Sequence, residues 1–228
     1  MKAGGFEKSA ITPFPIVNNG SSRNTDRLYR NDFDEKLGHP RFTDVSSKAG
    51  ILLEGFGLGV SVLDINEDGW SDLYVTNDYL SKDHLYVNNR DGTFSDGVDQ
   101  YFKHISHFAM GNDIGDINND GRFDIITVDM LPEDNYHRKI MFGPNQYDKF
   151  YFSVAQGYGY QYMRNTLQVA NDDGSYSEVG QQAGIDKTEW SWGPLMADFD
   201  NDGFQDLVIS NGYGKDVTNL DYLKFMQP

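Results

Sequence analysis

The chain has 228 residues, no cysteine and a formal charge of −16, with 35 acidic against 19 basic residues. Its length permits a sizeable core, while the missing cysteine excludes disulfides and thiolate metal centres. The acidic balance, with no basic cluster to offset it, excludes a nucleic-acid-binding face, and no apolar run reaches the roughly eighteen residues of a membrane-spanning helix.

In chain order, residues 1–26 are rich in Gly, Ser, Asn and Pro and predict a tail or linker. The opening Met1-Lys2-Ala3-Gly4-Gly5-Phe6-Glu7 lacks the apolar stretch of a signal peptide. Asn19-Gly20-Ser21 fits a glycosylation sequon, a triplet common by chance. From Arg27 to the last residue, 228, the chain reads as one repetitive domain.

Leu28-Tyr29-Arg30-Asn31-Asp32 opens it and returns as Leu85-Tyr86-Val87-Asn88-Asn89 and Leu167-Gln168-Val169-Ala170-Asn171. Each is followed by an aromatic-polar-acidic step: Phe42-Thr43-Asp44, Phe94-Ser95-Asp96 and Tyr176-Ser177-Glu178. Ala-Gly-Ile ends at Ile51 and Ile185, nine residues after Phe42 and Tyr176.

A nine-residue acidic loop then appears three times. It runs from Asp64 to Asp72, from Asp116 to Asp124 and from Asp198 to Asp206. Loop positions one, three, five and nine are Asp64, Asn66, Asp68 and Asp72 in the first copy. They are Asp116, Asn118, Asp120 and Asp124 in the second, and Asp198, Asp200, Asp202 and Asp206 in the third. Oxygen-bearing side chains at alternate positions can turn inward around a hard cation. Gly at position six permits the sharp turn, and the backbone carbonyl of position seven (Trp70, Arg122 and Phe204) can add a further ligand. Ten of the twelve ligand side chains are Asp, so three divalent ions would bring the net charge to about −10.

Asp/Asn-Gly hairpin turns favour the same residues, but turn preference does not require Asp at positions one, five and nine in every copy. An EF-hand also begins this way, yet it needs a bidentate Glu at position twelve and flanking helices. Position twelve is Val75, Thr127 and Ile209. The flanks, such as Gly59-Val60-Ser61-Val62-Leu63 and Leu73-Tyr74-Val75-Thr76, are β-branched and aromatic and predict strands. Calcium suits an all-protein, flexible oxygen site better than magnesium, and three ions are expected, with a structural role.

The spacing makes these landmarks one repeat. Asp64 to Asp116 and Phe42 to Phe94 are both 52 residues, while Asp116 to Asp198 and Phe94 to Tyr176 are both 82. The longer unit therefore carries an insertion, over about 131–163. Each unit predicts four short strands, the pattern of a β-propeller blade. The fold class expected is all-β, an incomplete arc of about three blade-equivalents that starts and stops mid-blade. That predicts further blades from a longer protein.

Gly55-Phe56-Gly57-Leu58-Gly59 followed by Val-x-x-x-Asp-x-Asn-x-Asp-Gly-x-x-Asp-Leu closely resembles the FG-GAP, or VCBS, repeat of integrin-α-like calcium-binding propellers. Leu-Tyr-Arg-Asn-Asp, Phe-Thr-Asp-Val, Lys-Ala-Gly-Ile and Gly-Phe-Gly-Leu-Gly-Val look like the ASPIC/UnbV, cartilage-acidic-protein-like subgroup. The resemblance covers residues 27–215. It departs where Ala109-Met110-Gly111 and Ser191-Trp192-Gly193 replace the Phe-Gly step. It implies a non-enzymatic extracellular, cell-surface or periplasmic module for protein or carbohydrate binding or adhesion. The alternative it leaves is part of a calcium-dependent, lyase-like polysaccharide enzyme, for which His137, Arg138 and Lys139 are the candidate basic residues.

The insertion holds Phe142, Tyr147, Phe150, Tyr151, Phe152, Tyr158, Tyr160 and Tyr162, and Asp148 to Gln156 predicts a short helix. Such rings suit sugar or peptide contacts; alternatively they form a satellite core. His84, His104, His107 and His137 show no ligand spacing and are expected at solvent or on edge strands. No Gly-x-Ser-x-Gly elbow or Ser-His-Asp order is found. Near the end, Asp216 is expected to cap a helix through Val217, Leu220 and Leu223, stopping at Pro228.

Overall fold

The structure is a computed structural model, and it describes residues 6–8, 13–15, 19–79, 81–141, 147–213 and 219–226. A short antiparallel pair comes first, β1 (Phe6–Lys8) with β2 (Pro13–Pro15). Residues 19–26, expected within a tail, are fastened to the domain. The Gly20 amide donates to the Leu52 carbonyl at 2.9 Å, the Gly55 amide to the Asn24 carbonyl at 3.0 Å, and Thr25 bridges Glu54.

A two-stranded sheet follows, β3 (Tyr29–Asn31) with β4 (Phe42–Asp44). Next is a four-stranded antiparallel sheet in sequence order, β5 (Gly57–Leu63), β6 (Asp72–Asn77), β7 (His84–Asn88) and β8 (Phe94–Asp96). One helical turn, α1 (Val98–Tyr101), and β9 (Ile105–Ser106) lead onward. The second four-stranded sheet opens with β10 (Gly111–Gly115) and β11 (Asp124–Val128). Here the insertion intervenes, with α2 (Asn135–Met141), α3 (Tyr147–Ala155) and β12 (Gln161–Tyr162). The sheet is completed by β13 (Thr166–Ala170) and β14 (Tyr176–Glu178). A final pair, β15 (Ser191–Ala197) and β16 (Asp206–Asn211), precedes α4 (Leu220–Met226).

The four strands of each unit fall where the repeat places them, and the third and fourth strands share one register. Tyr86 opposes Asp96, Gln168 opposes Glu178 and Tyr29 opposes Asp44. The second strands of the two complete sheets, β6 and β11, are buried on both faces and so lose the period-two pattern of a half-exposed strand, which β16 retains. Ile125, Ile126 and Val128 of β11 are fully buried.

Three apolar layers lie between successive sheets. Ala49, Ile51, Val75 and Tyr86 fill the first, while Leu63, Tyr74, Leu85, Phe102, Ile125 and Tyr176 belong to the second. The third contains Met110, Ile126, Val128, Leu167 and Met196. The first strands of neighbouring sheets lie against one another. The Met196 amide on β15 donates to the Asp113 carboxylate on β10 at 2.6 Å, and Asn112 on β10 also donates to Thr76 on the neighbouring second strand, β6, at 3.0 Å. Gly59 and Gly111 sit at these approaches. A Cβ on Gly111 would stand 2.5 Å from the Trp192 carbonyl, and one on Gly59 would stand 2.9 Å from the Asn112 side-chain nitrogen.

Within the insertion, α3 occupies the predicted helical stretch, and α2 adds a helix capped by Asp134. That carboxylate accepts the Tyr136 and His137 amides at 2.8 and 3.0 Å. The return strand β12 pairs in parallel with β9, tying the insertion to the connection before β10. Half-buried Phe150 stacks on Tyr162 with centroids 5.5 Å apart, but Tyr162 is itself exposed and α3 buries none of its residues, so these rings pack on one another at the surface. Tyr147, Tyr151 and Tyr160 remain exposed, and Phe142 lies outside the described residues.

Two local expectations are corrected. The α4 cap is Asn219, whose side-chain oxygen accepts the Asp221 amide at 2.9 Å and the Tyr222 amide at 3.2 Å. Asp216 and Val217 lie outside the described residues. Among the histidines, His84, the first residue of β7, is buried, and His107, in the bend after β9, is half-buried, with its Nδ1 3.1 Å from the Gln161 side-chain oxygen. His84 contacts the Glu54 carbonyl at 3.2 Å, and burial lowers its proton affinity. His104 lies 3.1 Å from the Glu178 carboxylate, whereas His137 is exposed on α2.

Candidate functional site

The three acidic loops join first and second strands and fold alike. Position one uses both carboxylate oxygens to hold the turn. Asp64 accepts the Asp68 amide at 2.9 Å and the Gly69 amide at 2.7 Å. Asp116 accepts Asp120 and Gly121 at 2.9 and 2.8 Å, and Asp198 accepts Asp202 and Gly203 at 3.2 and 3.0 Å. Position three adds a second acceptor to the same position-five amide. Asn66, Asn118 and Asp200 take it at 3.2, 3.2 and 3.1 Å. Position five accepts the amide of position seven, at 2.9 Å from Trp70, Arg122 and Phe204.

The backbone explains the residue choice. Positions four and six are left-handed in all three loops, with φ of 56° and 84° at Glu67 and Gly69, 58° and 87° at Asn119 and Gly121, and 62° and 93° at Asn201 and Gly203. Gly tolerates that region freely. The side chains of positions one, three and five are thus oriented by the loop's own amides in every copy. In the third loop, carboxylate oxygens of Asp198, Asp200 and Asp206 lie within 4.8 Å of one another. This donor set of hard oxygens suits a calcium-sized cation.

Position nine links the loop to the sheet. Asp72 accepts the Ile65 amide at 2.9 Å with one oxygen and the Asn88 amide of β7 at 2.7 Å with the other. Asp124 repeats this with Ile117 at 3.0 Å and Ala170 of β13 at 2.9 Å. Burial pushes both carboxyls above the usual range. The neighbouring Asp64 and Asp68, and Asp120 and Asp116, add to the shift, while the backbone donors oppose it. Asp206 accepts the Phe199 amide at 3.0 Å and is exposed.

The loops differ in their cationic surroundings, a feature that loop-by-loop reading misses. Arg90 reaches the Asp68 carboxylate at 2.9 Å. Arg122 lies 2.9 Å from Asp172, 3.4 Å from Asp120 and 3.3 Å from Glu67, so it joins the second loop to the first. Among the described residues no Lys or Arg pairs with the four carboxylates of the third loop. Arg90 and Asp172 each follow the repeated third strand, so their place in the repeat was the available signal.

A second, smaller cluster lies at the insertion. His137 sits 2.5 Å from Asp134 and 3.9 Å from Glu189, and the Glu133 amide donates to Glu189 at 3.2 Å. These contacts fasten α2 to the segment before β15. Among the described residues, no ion pair joins His137, Arg138 or Lys139 to a loop carboxylate.

The FG-GAP-like repeat family matches the chain over residues 64–127 and 151–209, more than half its length, and both segments contain acidic loops and the strands beside them. No curated protein matches the chain at a significant level. With its four-stranded units, its loops and these two matched segments in agreement, the chain belongs to the FG-GAP-like repeat family.

Proposed function

We propose that the three loops bind calcium, one ion each, and that the chain forms part of an extracytoplasmic β-propeller for protein or carbohydrate binding. The observation that carries this reading is the threefold recurrence of one hydrogen-bonding scheme, in which positions one, three and five are oriented by the same loop amides. Hairpin formation alone does not call for so many carboxylates at one locus. Their mutual repulsion is what a divalent ion relieves. The role assigned to calcium is structural, since the loops organise strand connections, and the module is proposed to bind rather than catalyse. The phrases around Leu28, Phe42 and Gly55 support a place in the ASPIC/UnbV-like subgroup.

Calorimetric titration of chelator-stripped protein tests the reading, with thermal melts before and after. Binding of about three ions with a raised melting temperature is expected, because a ligand held only by the native state stabilises it. An absence of heat and of any thermal shift would reduce the loops to turns.

A further inference from the structure

A cavity of about 390 Å³ lies between α1 and the insertion, within the range of small-molecule sites, about 300–1,000 Å³. Every residue that lines it falls within 98–105, in the connection between the two complete sheets, or within 154–160, at the end of α3 and the turn after it. The half-sheets β3–β4 and β15–β16 contribute none of its walls.

The walls are anchored from both sides. The Ile105 amide donates to the Tyr160 carbonyl at 3.0 Å where β9 and β12 begin to pair, and the Gln168 side chain of β13 donates to the His104 carbonyl at 2.9 Å. Val98, Phe102 and Ile105 are buried and make the lining apolar on that side. Opposite, Gly157 and Gly159 are left-handed, with φ of 89° and 67°. A Cβ on Gly159 would stand 3.4 Å from the Asp99 carboxylate, so this turn comes down onto α1.

The polar lining is partly engaged and partly open. One oxygen of buried Glu178 accepts the Gly180 amide at 2.6 Å; the other lies 3.1 Å from His104 Nε2 and 3.5 Å from the Arg164 guanidinium. With Nε2 engaged, His104 Nδ1 has no partner among the described residues. Lys82 holds the Asp99 carboxylate at 2.7 Å and offsets its charge. Lys103 is exposed and, among the described residues, pairs with no carboxylate. In a chain of net charge −16, this lining therefore offers an unpaired cation and a free ring nitrogen. Tyr160, 49% exposed and braced by Phe150 with centroids 6.2 Å apart, adds an aromatic wall beside half-buried Tyr158.

We propose that this cavity binds an acidic saccharide through a hexuronate unit. Lys103 and His104 Nδ1 meet the sugar carboxylate, and Tyr158 and Tyr160 pack against the C–H face of the ring. An acidic peptide would supply the carboxylate but not the flat ring that the tyrosines fit. The proposal rests on the carbohydrate reading of the proposed function for its class of partner. It uses none of the loop carboxylates, so it stands or falls apart from calcium.

Calorimetric titration of the purified chain tests it, with oligosaccharides of polygalacturonate, alginate and hyaluronate as probes and maltotriose and tri-glutamate as comparators. At least one uronate probe is expected to bind more tightly than either comparator. Lys103→Gln is expected to weaken that binding about tenfold, and Tyr160→Ala about threefold or more. Both positions are exposed, so both variants should keep the wild-type circular dichroism spectrum and calcium count. No binding of any uronate probe, tighter binding of maltotriose or tri-glutamate, or an affinity that neither variant lowers would each overturn the proposal. Calcium uptake that persists after such a failure would leave the reading of the loops intact. Uronate binding by a chain that takes up no calcium would support this site and overturn that reading.

Discussion

Asp72 and Asn88 lie sixteen residues apart, and the Asn88 amide donates to the Asp72 carboxylate at 2.7 Å while the Ile65 amide takes the other oxygen. One buried side chain thus ties an acidic loop to both its own turn and the third strand. Replacing it strands two amides. Asp72→Ala is expected to lower stability by about 2–4 kcal/mol even in chelator, since each lost bond is to a charged acceptor. Asp72→Asn keeps one acceptor oxygen and should cost less. Denaturant titration in chelator measures both, and calorimetry should then count one calcium fewer for Asp72→Ala.

Between the two complete sheets, the Tyr74 hydroxyl donates to the Asp83 carboxylate at 2.6 Å, and the Asn77 amide donates to its other oxygen at 2.8 Å. Burial pushes the Asp83 carboxyl up to about 7, and the Asp129 charge adds to this, against the hydrogen bonds from Tyr74 and Asn77. The folded protein therefore holds a proton there that the unfolded chain has already released above pH ~4. This group's contribution to stability is full below that point and is lost as pH rises toward 7, at up to about 1.4 kcal/mol per pH unit. Buried His84 and half-buried His107 act in the opposite sense, because burial lowers their proton affinities. The difference between wild type and Asp83→Asn isolates the carboxyl. The second sheet already uses Asn165 in the equivalent place, accepting the Asp129 amide at 2.7 Å. Asp83→Asn is expected to gain stability relative to wild type between pH 5 and 8, as read by denaturant melts at fixed ionic strength.

The legibility of the chain follows the range of its interactions. The loops were readable because their hydrogen bonds close within nine residues, so Asp64, Asn66 and Asp68 reveal themselves by spacing alone. Strand order was readable because two landmarks kept step through the insertion. The histidines were not, since His84 meets the Glu54 carbonyl and His107 the Gln161 side chain, partners 30 and 54 residues away that only the fold brings close. Arg122 was read only for its backbone, yet its side chain joins Glu67, Asp120 and Asp172, three residues that only the fold assembles. The cap of α4 at Asn219 instead of Asp216 is a boundary shift of three residues, within the reach of local capping preferences.

Arg122 also makes a separable prediction. Its guanidinium shares the Asp120 carboxylate with any ion in the second loop, and like charges at this range repel. Arg122→Gln is expected to raise calcium affinity at that loop roughly three- to tenfold at low salt. The gain should shrink as ionic strength rises and screening takes over. Calorimetric titrations at two salt concentrations measure it. An unchanged affinity at low salt would show that the guanidinium does not oppose the ion.

The inner-strand glycines give the last prediction. At Gly111 an added Cβ would stand 2.5 Å from the Trp192 carbonyl oxygen, a backbone atom that moves only if β15 moves. At Gly193, on the facing strand, the nearest neighbour to an added Cβ is the Ser210 hydroxyl at 3.5 Å, an ordinary contact. The two positions align in the repeat, so sequence alone assigns them equal weight. Geometry separates them. Gly111→Ala is expected to force β10 and β15 apart, at a cost of about 2 kcal/mol or more. That corresponds to a melting temperature lower by roughly 4–8 °C for a domain of this size. Gly193→Ala should stay within about 0.5 kcal/mol of wild type. Equal losses in parallel thermal melts would mean that the spacing between the first strands is not what these glycines set.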